Sequence, residues 1–226
     1  MRLSFHSKNK AVYHALLQSI ITGESRPGER LVIDNLAIEL SVSHIPIREA
    51  LRQLEADGFV TIEPHVGATV TEINTSLVSE VFALLQAMEI ISSRVACLQM
   101  SDDELKALGD LIDQMKSHLD DPTRWSQENK DLHLFICDCA KMPVIKKMMQ
   151  KTLDHWDRLR LYYLKAVFAD RIEIAQREHF EILKAFRTRN PNEVEKAIQR
   201  HNQAALAAYS NFLGMQPTPG VRNLAR

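Results

Sequence analysis

The chain has 226 residues, 45% of them hydrophobic, and a formal net charge of −1. It is long enough to bury a sizeable core in one large or two small domains, and its near-neutral balance excludes partner binding by bulk charge alone. No run approaches eighteen consecutive apolar residues, Met1-Arg2-Leu3-Ser4 leads into no signal-peptide core, and Cys97, Cys137 and Cys139 lack zinc-knuckle spacing; the expectation is a soluble cytoplasmic chain, no membrane partner, and reduced, packed thiols.

The first predicted helix covers Ala11 to Ile21, with Val12, Leu16, Leu17, Ile20 and Ile21 on one face. Arg26-Pro27-Gly28 forces a turn before a short helix around Leu36 to Leu40. After Ser41-Val42, Ser43 stands where a helix cap is needed and Pro46 falls in the first turn, where its missing N–H costs nothing. Ile47, Ala50, Leu51 and Leu54 recur at three- and four-residue spacing as a buried stripe, leaving His44, Ile45, Arg48 and Arg52 on other faces. Asp57-Gly58 ends this helix. Phe59 to Ile62 and Ala68 to Thr71 then read as two short strands around a turn at Pro64 to Gly67. Helix, tight turn, helix and β-wing read together as a winged helix-turn-helix, a module for duplex DNA, with a small helical subdomain that packs onto a partner and touches no nucleic acid as the alternative.

RPGERL (Arg26 to Leu31), LAIELSVSHIPIREALRQLEADGFV (Leu36 to Val60) and HVGATV (His65 to Val70) resemble the winged-helix domain of GntR-type bacterial transcription regulators. The resemblance implies DNA contacts from Ser43, His44 and Arg48, with His65 and Gly67 at the wing; Arg52 joins them as a candidate. The family usually carries Arg where this chain has His44, and a neutral imidazole supplies one donor instead of a guanidinium fork for guanine. Residues 1–74 hold seven Lys and Arg against nine acidic residues, so affinity must come from local clustering, helix N-termini and a doubling of contacts in a dimer.

Beyond residue 75 no β-pattern returns. Leu77, Val81, Leu84, Met88, Ile91, Val95 and Leu98 mark one amphipathic helix; Leu105, Leu108, Ile112, Met115 and Leu119 mark a second, which Ser101 to Glu104 caps. Further helices are expected near 124–140, 144–168, 171–188 and 191–213, with breaks at Met142-Pro143, Ala169-Asp170 and Asn190-Pro191. The expected fold is mostly α: a winged helix-turn-helix over 1–74, an all-α antiparallel bundle of six or seven helices over 75–214, and a tail over 215–226.

His133, His179 and His201 sit on apolar stripes of three different helices, and Asn129, four residues before His133, shares its face. Separately satisfied core histidines are the bland reading; several polar rings facing inward favour a shared cation, because burying them unpartnered is costly. NKDLH (Asn129 to His133), Glu178-His179 with ILKA (Ile182 to Ala185), and Arg200-His201 resemble the FCD effector domain of the FadR-type branch of the same regulators. The resemblance implies a divalent metal held by Asn129, His133, His179 and His201. Zinc is the first expectation, with nickel or manganese as alternatives. The family's Asp is Asn129 here, and an amide oxygen ligates without bringing charge. Family members sensing carboxylates often carry an Arg that is here Leu85, so Arg158, Arg160 and Tyr162 become candidate effector contacts.

These readings converge on a metabolite-responsive transcription regulator: a homodimer on a palindromic operator, with a small-molecule effector such as a carboxylate in the helical domain. The rival is a metal-dependent enzyme on a helical bundle with an accessory N-terminal domain. Against it, the chain has no His-Glu-x-x-His run and no Glu-x-x-His pair.

Overall fold

The computed structural model describes residues 5–63, 67–163 and 165–212. Contacts divide the chain into two compact units, residues 1–74 with 154–163, and residues 75–153 with 164–226.

The first unit contains α1 (Phe5–Thr22), β1 (Arg30–Leu31), α2 (Ile33–Glu39), α3 (His44–Ala56), β2 (Val60–Glu63) and β3 (Gly67–Val70). The α3 stripe is buried as its spacing requires, with Ile47, Ala50, Leu51 and Leu54 packed against Val12, Leu16, Leu17 and Ile20 of α1. Removing each of the leucine, isoleucine and valine side chains from water contributes roughly 1.5–3 kcal/mol. Asp57 caps the C-terminus of α3, and Gly58 (φ +83°) takes the left-handed turn that sends the chain into β2. β2 and β3 form the expected hairpin, paired Thr61 with Thr69 and Ile62 with Ala68. β1 adds a third, unforeseen strand, giving the order β1-β3-β2. Two residues are too few for an alternating pattern to declare itself in sequence.

Residues 154–163, expected in the bundle, belong to this first unit. They are the last turns of α7 (Pro143–Arg158) and a π-helical turn, Leu159–Tyr163. Leu161 packs on the core shared by α1 and α3. The His155 ring stacks on Phe59 at 4.0 Å and 4°, and its Nε2 lies 2.8 Å from the Asp57 carbonyl. Arg158, 1% exposed, donates to the Thr71 hydroxyl at 2.8 Å and to the Thr71 carbonyl.

Burial depresses the His155 pKa from its ordinary value, 6.5, against the opposing pull of its hydrogen bond to Asp57. Protonation would load Nδ1, a buried atom with no hydrogen-bond partner. As the pH falls below about 6.5 the unfolded chain takes up this proton before the folded one, so stability is retained above that pH and lost below it. Melting temperature is therefore expected to fall between pH 7.5 and 5.5, with a shallower slope in His155→Phe; equal slopes by calorimetry would count against this account.

The second unit holds α4 (Thr75–Gln99), α5 (Asp102–Lys116), α6 (Pro122–Cys139), α7 as far as Leu153, α8 (Lys165–Arg187) and α9 (Pro191–Phe212). α4 packs on α6 and α9, α5 on α6 and α8, and α8 on α9. Ser101 accepts from the Glu104 N–H and Glu104 from the Ser101 N–H, the capping box its sequence implied. Pro122, Pro143 and Pro191 each open a helix. The break expected at Ala169-Asp170 is corrected: α8 runs through it, since neither residue forbids helix, and the irregularity falls instead at the π turn. Cys97, Cys137 and Cys139 are free and buried. The expected tail at 215–226 lies outside the described residues.

Candidate functional site

The candidate recognition surface is α3. Ser43, His44, Ile45, Arg48 and Arg52 are all exposed on it, as a helix with one apolar stripe leaves them. Ser43 occupies the N-cap with extended backbone but makes no side-chain hydrogen bond to the helix, so its expected capping is positional only. The His44 Nε2 lies 3.2 Å from Asp34 Oδ1 of α2, a partner that no local pattern foretold. Gly67 holds φ +108°, a backbone that side chains resist. His65 lies outside the described residues.

The second site is inside the bundle. α6 supplies Asn129 and His133, α8 supplies His179, and α9 supplies His201. One nitrogen from each histidine lies within 4.8 Å of the others, all three residues being buried. The His179 ring, 0% exposed, is stacked on Trp125 at 5.6 Å and 12°, and Trp125 is fixed by its indole N–H donating to Gln176 at 2.9 Å.

Two carboxylates orient the other rings. Glu89 of α4 lies 3.1 Å from His133 Nδ1 and accepts from Asn202 at 2.7 Å. Glu178 lies 2.7 Å from His201 Nδ1 and accepts from both terminal nitrogens of Arg171, at 2.9 and 2.5 Å. With Nδ1 engaged in this way, the Nε2 lone pairs of His133 and His201 stay available for a cation. Neither nitrogen of His179 has a hydrogen-bond partner, and the Asn129 Oδ1 is likewise buried and unpartnered. Such orphaned polar atoms cost about 1–3 kcal/mol each, which a shared cation would remove.

Electrostatics suit that role. Burial pulls the His179 pKa well below its usual value, and His201, His133 and Arg171 depress it further. Burial also lowers His133, against the opposing pull of Glu89. Burial raises Glu178, but its hydrogen bonds to His201 and Arg171 outweigh that and hold it ionised. A neutral imidazole backed by a carboxylate, as at His133, is the state a divalent metal requires.

The structure thus brings together the three histidines read from sequence, and the orphaned oxygen fits Asn129 as a fourth donor. Glu89 and Glu178 were missed as members of the site. Glu89 had a signal, being the one carboxylate within the apolar run of α4; Glu178, the neighbour of His179 in sequence, turns its carboxylate to His201. Arg158, a candidate effector contact, donates to Thr71 within the first unit. Arg160 also belongs to that unit and lies 3.3 Å from Asp157; the Tyr162 side chain is outside the described residues.

Residues 8–70 match the family model described as bacterial regulatory proteins, gntR family, and residues 80–204 match that of the FCD domain. The chain is 25% identical over 200 residues to the HTH-type transcriptional repressor RspR of Escherichia coli, covering 86% of each. It is 24% identical over 194 residues to the HTH-type regulator YdhC of Bacillus subtilis, covering 84% of this chain and 85% of that one. The solved structure of E. coli McbR/YncC shares the fold with a TM-score of 0.73 at 20% identity, covering 91% of this chain and 98% of that one.

Proposed function

From the premise that this chain belongs to the gntR family of bacterial regulatory proteins and carries an FCD domain, we propose that it acts as a cytoplasmic homodimer whose grip on a palindromic operator is set by a small molecule bound in a metal-containing bundle. That it is a DNA-binding transcription regulator, and no enzyme, follows from the family. The enzyme alternative therefore falls.

On DNA, Arg48 offers a guanidinium to base edges, and Ile45 beside it suits a thymine methyl. Ser43 and the N-terminus of α3 address phosphate, where the helix dipole favours an anion. Arg52 adds charge along the backbone, and His65 with Gly67 serves the wing.

The convergence of His133, His179 and His201 carries the effector reading, with the buried, unpartnered oxygen of Asn129 one turn before His133 on α6. Asn129 and the three histidines would hold zinc, or nickel or manganese in its place. When bound, the ion supplies a Lewis-acidic anchor for an anionic oxygen, and a carboxylate is the simplest ligand of that chemistry. Glu89 and Glu178 fix the ring orientations. Effector binding would redistribute the protein between operator-competent and incompetent forms, by as much as its affinity for the two differs.

The test measures the affinity of the zinc-loaded chain, by fluorescence anisotropy, for the duplex it selects in vitro, across a panel of small carboxylates. At least one is expected to shift affinity about 5-fold or more, the lower end of ordinary coupling, and chelation should abolish the shift. No response from any carboxylate, with metal bound, would sink the carboxylate reading.

Glu89 also yields a graded prediction. Glu89→Gln keeps size and an acceptor but removes the charge facing His133, and metal affinity is expected to drop roughly 10–100-fold without loss of fold. Unchanged affinity by competition with a chromogenic chelator would assign Glu89 to packing alone.

A further inference from the structure

His44 opens α3 and Asp34 lies in the first turn of α2, and the two meet at 3.2 Å through Nε2 and Oδ1. Their side chains are 55% and 76% exposed, so the pair contributes little to stability. Its consequence is chemical. A carboxylate only accepts hydrogen bonds, so the ring nitrogen that faces it carries the proton, and a neutral imidazole has only one to carry. Nδ1 is left with its lone pair. Asp34 thereby decides what His44 offers on this surface: an acceptor, where an untethered ring would offer either a donor or an acceptor.

That polarity selects among base edges. In the major groove cytosine N4 and adenine N6 are donors, whereas guanine N7 and O6 and thymine O4 are acceptors. An acceptor nitrogen therefore favours cytosine or adenine, and meets guanine or thymine with lone pair against lone pair. Arg48, exposed and four residues on, shares this face of α3 and offers only donors. The N-terminal residues of a recognition helix are the ones that reach base edges, which is where both side chains stand.

We propose that His44 reads the operator as a hydrogen-bond acceptor, taking the amino group of a cytosine or an adenine at Nδ1, with Asp34 as the positioning residue that fixes the tautomer. This rests on the reading of α3 as the helix that meets DNA. It gives α2 a share in sequence preference without a base contact of its own, and it sets beside the donors of Arg48 a contact of the opposite polarity.

Binding of the full chain to the duplex it selects in vitro is measured by fluorescence anisotropy at pH 8, where an unperturbed imidazole is neutral. The base pair read by His44 is the one at which His44→Ala flattens the preference. Each pair carries one amino group in the major groove, which 2-aminopurine in place of adenine, or pyrimidin-2-one in place of cytosine, takes away. With that change in both half-sites, wild type is expected to lose about 10-fold more affinity than His44→Ala, the worth of two ordinary hydrogen bonds. Asp34→Ala should lose less than about threefold more, while binding every sequence more tightly as a negative charge leaves the surface. Added to His44→Ala, Asp34→Ala should leave base preference unmoved. Both side chains are exposed, so the far-ultraviolet dichroism of every variant should match wild type. Equal losses in wild type and His44→Ala would overturn the proposal. A change of preference from Asp34→Ala that persists without His44 would overturn it too, by making Asp34 itself the acceptor from cytosine. If His44→Ala alters no preference while Arg48→Ala does, the proposal falls and the recognition helix stands; if neither does, the reading of α3 falls with it.

Discussion

His179→Ala is expected to release the divalent metal from the bundle while leaving the fold intact. Apparent free energies for structural zinc run to about 10–16 kcal/mol, so one ligand of four is worth roughly 3–4 kcal/mol, or about 100–1,000-fold in affinity. His179 is the most telling of the four positions. It is fully buried, stacked on Trp125, and neither ring nitrogen has a hydrogen-bond partner. A core histidine serving only packing would have at least one nitrogen satisfied. Elemental mass spectrometry on protein purified without a nickel column should find near-stoichiometric metal in wild type and little in the variant. His118→Ala provides the contrast, because His118 is paired with Glu128 at 2.9 Å, apart from the cluster, and should keep its metal. Asn129→Asp should bind more tightly than wild type by restoring a charged oxygen donor. Full occupancy in His179→Ala would mean that the three rings share no ion.

Arg48→Ala should have the second large effect, on DNA. A base-edge contact from a guanidinium is worth about 1–3 kcal/mol, and a dimer on a palindrome makes it twice, so operator affinity is expected to fall by roughly 2–6 kcal/mol, or about 30-fold to 25,000-fold. Arg48 lies on the exposed face of α3, opposite a stripe whose members are between 0% and 2% exposed, so its removal leaves the core untouched. Specificity separates this role from a phosphate contact. Arg48→Ala should relax the preference among operator variants, whereas Arg52→Ala should weaken all sequences alike and flatten the dependence on salt. A loss of less than about threefold for Arg48→Ala would remove this arginine from base recognition.

The two sites differ in how much of them a single sequence can carry. The winged helix was legible because every step of it is local: an apolar stripe at helical spacing, a proline tolerated in the first turn, a glycine past the last, and two short β-runs about a turn. Ser43, His44, Arg48 and Arg52 come out exposed for the same reason. The histidine cluster was legible in part, because periodicity places each ring on an inward face. It says nothing of which inward faces meet. Glu89 and Glu178 had to be seen against His133 and His201, 44 and 23 residues away along the chain.

Sequence by itself therefore determined the kinds of elements, the family of fold, and the helix faces on which the candidate residues lie, since these depend on spacing over a few turns. Tertiary structure alone decided the partnerships. It paired β1 with β3, drew residues 154–163 into the first unit, set the Arg158 guanidinium against Thr71, and placed two carboxylates behind two imidazoles. The physical reason is common to all four. Helical and strand periods fix the direction of a side chain relative to its own element, while the identity of its neighbour is settled by the packing of elements far apart in sequence, where steric fit and the cost of unpaired buried polar groups select the arrangement.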